Sequence, residues 1–357
     1  MTPLISNPYK LNTGNNMAPH TTKSVENGQV GTSSDISDSG LPTPLSHDCC
    51  SSPVLHPTLA EEALAVGLEI RPLLGQSFGA EVLKMDLVNK PMAPIVNVVR
   101  KALLAHKVLV FRDQDDLTPE KHVEFSRYFG TLYQHALDEA RLPGAEDIVV
   151  VSNEVDEAGK KKGINGIEES QSRNGRRHYW HSDLSYMAAP PMGSMLHIKV
   201  LPADGSGDTL FADMVQAYEG LPSEKQSELL SLQALHLFHK NLSKEAYSAM
   251  DASARAVLEN LPAMSHPVVR THPETGRKSL FVSEGFTTGI EGMEEAEGQA
   301  LLDWLFDYTS QEKFVYRHKW KKGDMVFWDN RMLLHFATGS ELPRTLYRTT
   351  IKGDVVF

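Results

Sequence analysis

The second half of the chain alternates short strand-like segments with helical segments, and this alternation constrains the fold more than any other feature. The segments do not follow the regular strand–helix–strand repeat of a parallel α/β sheet. Neither a GxGxxG nor a GxxxxGK[ST] motif is present, which disfavours dinucleotide-binding and P-loop folds. We therefore predict an α+β architecture with a β-sandwich or jelly-roll core. The predicted strands are 194–200, 279–282, 314–320, 325–328 and 346–352, and the predicted helices are 223–235, 243–260 and 292–308.

Local signals also predict elements in the first half of the chain. Thr118 is a good N-cap residue and Pro119 suits the first helical position, so a helix is expected to begin here. Apolar residues at helical spacing predict an earlier helix, and short apolar runs predict strands around it. The predicted elements are two strands within 68–82, a helix over 95–104, a strand over 107–112, a helix that ends near Gly130 and a strand over 148–152.

Two segments have the composition of irregular structure. Residues 1–55 are dense in Ser, Thr, Asn, Gly and Pro and lack apolar periodicity, so we predict a disordered tail before a single catalytic domain over 56–357. The polar segment 139–177 predicts a long loop. Within it we expect 160–166 to form a mobile hairpin tip and 151–177 to act as a lid.

Charge and cysteine content disfavour several function classes. The formal net charge of −11 argues against a nucleic-acid-binding surface. No apolar run approaches the length of a membrane span, and the N-terminus lacks a secretory pattern. The only cysteines, Cys49 and Cys50, are adjacent and suit neither a disulfide framework nor a Cys-based zinc site, so we expect a reducing, cytoplasmic location. Any metal must therefore be held by His and carboxylates.

A histidine two residues before an acidic residue occurs three times in the chain. His122 and Glu124 lie on the helix predicted after Thr118. Residues two apart on a helix do not share a face, so we predict that both are exposed to solvent. His272 and Glu274 lie in a predicted turn, where exposed polar side chains are expected. Neither pair is a candidate metal site.

The third pair, His181 and Asp183, lies beside aromatic residues at the end of the long loop. On an extended segment with a bend, both side chains could reach one metal, and His335 is a candidate third ligand. Two His and one carboxylate leave three open positions and suit non-haem iron(II) oxygenases. Zinc with similar ligands would keep a water for hydrolysis. A buried His–Asp pair without metal is the third alternative, and the motif alone does not decide among them.

Two arginines, Arg344 and Arg348, follow His335 closely. An arginine fork pairs bidentately with a carboxylate, which is what binding of an anionic cosubstrate requires. Residues four apart on a strand point to the same face, so two surface charges are a less plausible explanation than a shared site.

Five motifs, in order along the chain, resemble the taurine dioxygenase-like branch of the iron(II)/2-oxoglutarate-dependent dioxygenases. The resemblance extends from about Leu68 to Asp354 with family-like spacing. It implies a double-stranded β-helix (jelly-roll) core with flanking helices. The motifs are His181-Ser-Asp183, Gly207-Asp-Thr209-Leu-Phe-Ala-Asp, His266-Pro-Val-Val-Arg-Thr-His-Pro-Glu-Thr-Gly with the segment 280–290 after it, Trp328-Asp-Asn-Arg-Met-Leu-Leu-His335, and Arg344-Thr-Leu-Tyr-Arg348.

The resemblance also implies a role for individual residues. Thr209 and Arg344 would bind the distal carboxylate of 2-oxoglutarate, whose keto acid end chelates iron(II). Arg348 would lie beside this cosubstrate and contact an anionic group of the prime substrate, and Trp328 would pack near the metal. Reaction with O2 would release succinate and CO2 and oxidise a C–H bond by hydroxylation, desaturation or ring closure. The implied iron ligands are His181, Asp183 and His335.

The implied substrate site differs from that of the taurine enzymes. His135 matches a residue that contacts the sulfonate, and Phe286 matches an aromatic pocket residue. Asp138 replaces an aromatic residue, and Arg177 lies where a loop supplies an amide. A carboxylate at 138 would attract an amine and repel a sulfonate. We therefore expect a small anionic substrate other than taurine (a sulfonate, carboxylate or amino acid) whose anionic group faces Arg348.

Two alternatives from other function classes stay open at this point. A non-catalytic jelly-roll binding protein would not need residues that bind a keto acid beside unoccupied coordination positions of a metal. A zinc hydrolase would have no use for Arg344. The family often forms dimers or tetramers, so we also expect a homo-oligomer.

Overall fold

A computed structural model of the chain describes residues 57–89, 92–135, 140–159, 162–164, 180–238, 248, 255–256, 259–260 and 262–357. The predicted tail, most of the predicted lid and most of the predicted helix 243–260 lie outside the described residues. Those features and the boundary between tail and domain stay predictions. In the described ranges, no helix is both long enough and apolar enough to cross a bilayer.

The described elements mix short helices with many strands. The helices are α1 (Pro57–Ala65), α2 (Ala93–His106), α3 (Pro119–Arg127), α4 (Met214–Glu219), α5 (Ser223–Leu229) and α6 (Glu295–Thr309), with a 3-10 helix at Glu312–Phe314. The strands are β1 (Glu69–Pro72), β2 (Ala80–Leu83), β3 (Val108–Phe111), β4 (Arg141–Leu142), β5 (Ala145–Ser152), β6 (Gly193–Val200), β7 (Thr209–Asp213), β8 (Gln233–His236), β9 (Met264–Pro267), β10 (Val269–Thr271), β11 (Lys278–Leu280), β12 (Thr287–Ile290), β13 (Val315–His318), β14 (Met325–Asp329), β15 (Leu333–Ala337) and β16 (Thr345–Ile351).

The strands form one large sheet and three small ones. The large sheet has the order β1-β2-β3-β14-β6-β16-β5-β4, and its pairs are antiparallel except β2 with β3. The small sheets are β13-β7-β15, β12-β8-β9 and β10-β11. In the first of these, β7 pairs with both neighbours, and His335 on β15 lies opposite Phe211 on β7. This pairing places one of the candidate ligands on an edge strand of the small sheet, next to its central strand β7.

Alternating side chains on β14 separate two apolar layers. Val326 and Trp328 lie on the face of the large sheet that packs against the small sheet β13-β7-β15, where they contact the cluster that contains Phe211 and Leu333. Met325 belongs to a second core cluster that includes residues of α1, α2 and α3. Because successive strand residues face opposite sides, one strand supports both layers. The large sheet therefore faces a smaller sheet on one side and helices on the other, as in the predicted α+β architecture.

Several predicted elements are confirmed with small shifts of their ends. The side chain of Thr118 accepts a hydrogen bond from the Lys121 backbone N–H and caps α3, as predicted. The predicted helix 223–235 is partly wrong, because α5 ends at Leu229 and β8 begins at Gln233. Burial alternates along β8, which pairs with β9 and β12 on its two sides. Tertiary pairing thus overrides the local helical preference in this segment.

Candidate active site

Two histidines from distant parts of the chain are joined through their own backbones. The His181 N–H donates to the His335 carbonyl at 3.0 Å, and the His335 N–H donates to the His181 carbonyl at 2.8 Å. Their ring centroids lie 4.1 Å apart. Since His335 is anchored in β15, this bridge fixes both imidazoles relative to the small sheet.

Asp183 completes a cluster of three potential metal ligands. Its Oδ1 lies 3.6 Å from His181 Nε2 and 3.8 Å from His335 Nε2. One ligand atom from each residue lies within 4.8 Å of the others, and Asp183 and His335 are buried. Two imidazoles and one carboxylate on one side of a shared point are the donor set expected for non-haem iron(II). The residues present therefore fit this metal.

The orientation of Asp183 is fixed by residues that the sequence did not single out. The Asp183 N–H donates to Asn330 Oδ1 at 2.9 Å, and Asn330 Nδ2 donates back to the Asp183 carbonyl at 3.1 Å. Ser194 Oγ donates to Asp183 Oδ2 at 3.0 Å. Asn330 belongs to the Trp328-Asp-Asn-Arg motif, so that motif was the available signal; no motif pointed to Ser194. Both residues support the aspartate rather than bind metal.

Burial and charge set the protonation of the cluster. Burial raises the pKa of Asp183, but the Arg348 guanidinium and the His335 and His181 rings together lower it by more, so the pKa lies well below its usual range. Burial lowers the pKa of His335 to about 3, and the neighbouring His181 ring contributes to the shift. At neutral pH the carboxylate is charged and the His335 imidazole is neutral, which are the forms that ligate a divalent ion.

Arg344, the residue immediately before β16, lies in a tight cradle where the backbone of Gly207 packs against its side chain. It is buried, and its Nε has no hydrogen-bond partner among the described residues. A Cβ added to Gly207, which has φ +84°, would lie 2.6 Å from Arg344 Cδ. Burial lowers the pKa of Arg344 to about 10, a value that leaves it charged at neutral pH. A buried arginine with an unused donor fits an anionic ligand.

Thr209 lies on the same small sheet as His335. It begins β7, two residues before Phe211, the residue paired with His335. Two strand residues span about 7 Å and point to the same face. Trp320 Nε1 donates to Thr209 Oγ1 at 3.1 Å, and the Arg344 guanidinium carbon lies 6.0 Å from the Trp320 ring centroid. Trp320 is a contact residue that the sequence analysis missed.

Arg348, on β16, points toward the metal cluster. Its Nη1 lies 3.4 Å from Asp183 Oδ1, and its side chain is 19% exposed. Its buried Nε has no hydrogen-bond partner in the described part of the chain. The structure thus brings Arg348 to the triad and leaves it with an unused donor.

Aromatic rings extend outward from His181. The Phe286 ring centroid lies 6.0 Å from that of His181 and 4.9 Å from that of Tyr186. The Tyr186 ring lies 5.0 Å from Phe238, which is 37% exposed. Phe286, predicted as a pocket residue, therefore lies beside a candidate ligand. Trp328 packs against His335 with ring centroids 4.9 Å apart, which agrees with its implied packing role.

The structure does not test the other three predicted substrate residues, His135, Asp138 and Arg177. His135 is half-buried, and its backbone carbonyl accepts a hydrogen bond from Arg141 Nε. Asp138 and Arg177 lie outside the described residues. The substrate roles of these three residues stay predictions.

Two exposure predictions are wrong. His122 is buried, and its Nε2 lies 3.2 Å from Thr349 Oγ1. His272 is also buried, and its Nε2 lies 3.1 Å from Asp329 Oδ2. Both imidazoles find partners far away in the sequence, which local spacing does not reveal. They are structural residues of the core and not ligands of a second metal cluster within the described ranges.

Residues 69–350 match the family model described as "Taurine catabolism dioxygenase TauD, TfdA family". The chain belongs to this family. It is therefore an iron(II)- and 2-oxoglutarate-dependent dioxygenase that uses O2, as predicted, and not a zinc hydrolase or a non-catalytic binding protein. The expected cytoplasmic location and the expected absence of a nucleic-acid partner stay predictions.

Relatives from several bacteria share most of the chain with this TauD/TfdA member. It is 34% identical over 298 residues to an (S)-phenoxypropionate/alpha-ketoglutarate-dioxygenase of Sphingobium herbicidovorans, covering 82% of this chain and 97% of the relative. It is also 34% identical over 291 residues to an alpha-ketoglutarate-dependent 2,4-dichlorophenoxyacetate dioxygenase of Cupriavidus pinatubonensis, covering 78% and 96%. A taurine dioxygenase structure from Burkholderia xenovorans superposes with a TM-score of 0.64 at 30% identity, covering 81% and 90%. The jelly-roll fold is thus confirmed.

Proposed function

We propose that His181 Nε2, Asp183 Oδ1 and His335 Nε2 hold the iron of this dioxygenase. The main support for this proposal is that these three ligand atoms lie within 4.8 Å of one another. The backbone bridge between the histidines and the two hydrogen bonds from Asn330 hold the ligands in place through groups that do not bind metal. Three protein ligands leave three positions for cosubstrate and O2.

We propose that Thr209 and Arg344 bind the distal carboxylate of 2-oxoglutarate. Thr209 lies about 7 Å along β7 from the residue opposite His335, which suits a five-carbon dicarboxylic acid that reaches from metal to clamp. The buried Arg344 supplies a positive charge, and its Nε donor has no hydrogen-bond partner among the residues that the structure describes. When bound, iron(II) and 2-oxoglutarate together with O2 would supply the oxidation of a substrate C–H bond, with release of succinate and CO2. The chain's own contribution is to orient both partners and to keep water away.

We propose that Arg348 binds the anionic group of the prime substrate. Its guanidinium lies beside Asp183, so an anion paired with it would lie next to the metal cluster. The relatives named above act on carboxylates, the phenoxypropionate and dichlorophenoxyacetate of their names, or on taurine, a sulfonate. A carboxylate or sulfonate is therefore the substrate class that fits this chain, with amino acids among the candidates.

The line of rings from Phe286 through Tyr186 to Phe238 supports an apolar body on that substrate. These rings begin at the His181 imidazole and lead to a partly exposed side chain. Aromatic surfaces of this kind pack well against aryl or alkyl groups. An aryloxy or alkyl acid is favoured over a short polar acid such as taurine.

Substrate-dependent succinate release tests the proposed function. The purified full chain with iron(II), ascorbate and 2-oxoglutarate would be offered matched sets of aryloxycarboxylates, alkylsulfonates and amino acids. We expect aryl or alkyl acids to stimulate succinate release and oxygen uptake, and the corresponding uncharged amides to be inactive. Equal stimulation by acid and amide would contradict the proposed anion site.

The role of Arg348 is tested by Arg348→Ala with Arg127→Ala as the control. Arg127 is an exposed arginine paired with Asp147, so its removal deletes a guanidinium elsewhere on the chain. We expect Arg348→Ala to raise the KM for the acid substrate by about tenfold, the effect of losing a charged hydrogen bond. An unchanged KM, with 2-oxoglutarate affinity intact, would refute the assignment. Homo-oligomerisation, a family expectation, stays a prediction that light scattering would check.

A further inference from the structure

We infer that Trp320 is a positioning residue for 2-oxoglutarate, whose indole N–H sets the direction in which the Thr209 hydroxyl donates. This inference rests on the proposed clamp formed by Thr209 and Arg344. It goes beyond the clamp because Trp320 contacts both of its members without itself being proposed to contact the cosubstrate.

Packing and a hydrogen bond fix the orientation of the Trp320 indole next to the clamp. Trp320 is 6% exposed and follows β13 in the chain. The His318 ring meets its ring edge to face, with centroids 4.6 Å apart at 90°. From this position Nε1 donates to Thr209 Oγ1 at 3.1 Å. Packing on one side and a hydrogen bond on the other leave the ring little freedom to rotate.

The direction of this hydrogen bond follows from the chemistry of the two groups. An indole N–H donates and does not accept, so the Thr209 oxygen must be the acceptor. A hydroxyl has a single hydrogen, and once its oxygen accepts from Trp320 that hydrogen points elsewhere. A carboxylate only accepts hydrogen bonds, so it is the natural partner. Trp320 thereby selects the hydroxyl rotamer that recognises an anion.

The same ring also faces the second member of the clamp. The Arg344 guanidinium carbon lies 6.0 Å from the ring centroid, at the outer limit of a cation–π contact. Both side chains are buried, so the ring covers one side of the guanidinium. One side chain therefore orients the threonine through its N–H and shields the arginine through its face. A Phe at 320 would keep a ring face and lose the N–H.

A double-mutant cycle tests the inference on the full-length protein. Calorimetric titration of 2-oxoglutarate into Mn(II)-loaded protein would measure its Kd for the native chain, Trp320→Phe, Thr209→Val and the double variant. We expect Thr209→Val to weaken binding by about tenfold, the effect of one hydrogen bond to a charged group. Trp320→Phe should weaken it by about fivefold, and only when Thr209 is present. In turnover, the Trp320→Phe loss should fall on the KM for 2-oxoglutarate rather than on kcat.

The outcomes separate this inference from the proposed clamp. Native affinity in Thr209→Val would refute the clamp itself. A weakened Thr209→Val, combined with an equal Trp320→Phe loss in both backgrounds, would refute the role of Trp320 and leave the clamp standing. Native 2-oxoglutarate affinity in Trp320→Phe would also refute the role of Trp320 and leave the clamp standing.

Two further variants separate the N–H from packing. Tyr316→Phe removes a buried polar group on β13, the hydroxyl hydrogen-bonded to His318 Nδ1 at 2.8 Å, and should leave 2-oxoglutarate affinity unchanged. If Trp320→Phe unfolds, benzothienylalanine at 320 keeps the shape of the ring and replaces N–H with sulfur. This isostere should reproduce the fivefold loss, and native affinity in it, or an equal loss in Tyr316→Phe, would overturn the inference.

Discussion

Ser194 Oγ donates to Asp183 Oδ2 at 3.0 Å while Asp183 Oδ1 faces both histidines. The two carboxylate oxygens therefore have different surroundings before any ion binds. Oδ2 accepts a hydrogen bond from a neutral serine, whereas Oδ1 faces the proposed metal position and lies 3.4 Å from Arg348 Nη1. We therefore expect Asp183 to bind the metal through Oδ1 alone.

Replacement of Ser194 by Ala should therefore weaken metal binding. Loss of a hydrogen bond that orients a metal ligand reduces affinity by about tenfold in comparable sites. The visible absorption of Co(II) titrated into metal-free protein would measure this change. Ser279→Ala is the matched control, because Ser279 is a buried serine that donates to the Arg331 carbonyl and not to a ligand. Equal Co(II) affinity in the Ser194→Ala and native proteins would contradict the expected role.

Metal should stabilise the folded chain through His335. A divalent ion at a hundredfold excess over its Kd adds about 3 kcal/mol to the free energy of unfolding, because it binds only the folded state. We expect Mn(II) to raise the Tm of the native protein and to have little effect on His335→Ala. His106→Ala is a control, since His106 is a buried histidine outside the ligand cluster. A native-sized Tm increase in His335→Ala would exclude this histidine as a ligand.

Gly207→Ala should disturb the arginine cradle. At φ +84° a non-glycine residue costs about 1 kcal/mol, and the new Cβ would lie 2.6 Å from Arg344 Cδ. We expect about tenfold weaker binding of 2-oxoglutarate because the guanidinium is displaced. Gly205→Ala has a similar backbone cost at φ +71°, but a Cβ there meets nothing within 4 Å. Calorimetry should thus show normal 2-oxoglutarate affinity in Gly205→Ala, and a comparable loss in both variants would argue against the contact with Arg344.

Acid should destabilise the fold in part through His122. Burial lowers the pKa of His122 to about 3, whereas the unfolded chain titrates near 6.5. Between these values the unfolded state binds the extra proton, so stability is full above pH 6.5 and falls as the pH falls toward 3. The expected loss from this residue between pH 7 and pH 5 is about 2 kcal/mol. Urea unfolding of His122→Gln should show a correspondingly flatter pH dependence, and an unchanged slope would contradict it.

The three candidate ligands could be predicted from sequence because they lie in motifs whose residue types match one kind of metal site. The capped start of α3 could be predicted for a different reason, since a helix cap depends on neighbours three residues away. For the 2-oxoglutarate clamp, the two arginines alone predicted an anion site, whereas the role of Thr209 and the identity of the anion were implied only by the family resemblance. The physical support for the clamp, the cradle around Arg344, depends on the backbone at Gly207 and is visible only in three dimensions.

The missed features all depend on partners far away in the chain. His122 is buried because Thr349, 227 positions later, lies against it. Gln233–His236 forms a strand because β9 and β12 lie on either side of it, although its own sequence continues a helical pattern. Ser194 and Trp320 carry no recognisable motif, and their roles follow only from which atoms they reach. Local spacing contains none of this information.

The peptide groups that join His181 to His335 have a consequence for how this enzyme acquires its ion. Because two backbone hydrogen bonds hold these residues together without the help of an ion, we expect the metal-free chain to fold, so that removal of the metal by a chelator leaves an intact protein to which metal can be added back. Competing divalent ions would then bind to a preformed site. Which ion binds would depend on the coordination geometry that each ion prefers and on its concentration in the cell. Binding of the wrong metal, rather than failure to fold, is therefore the expected cause of inactive enzyme.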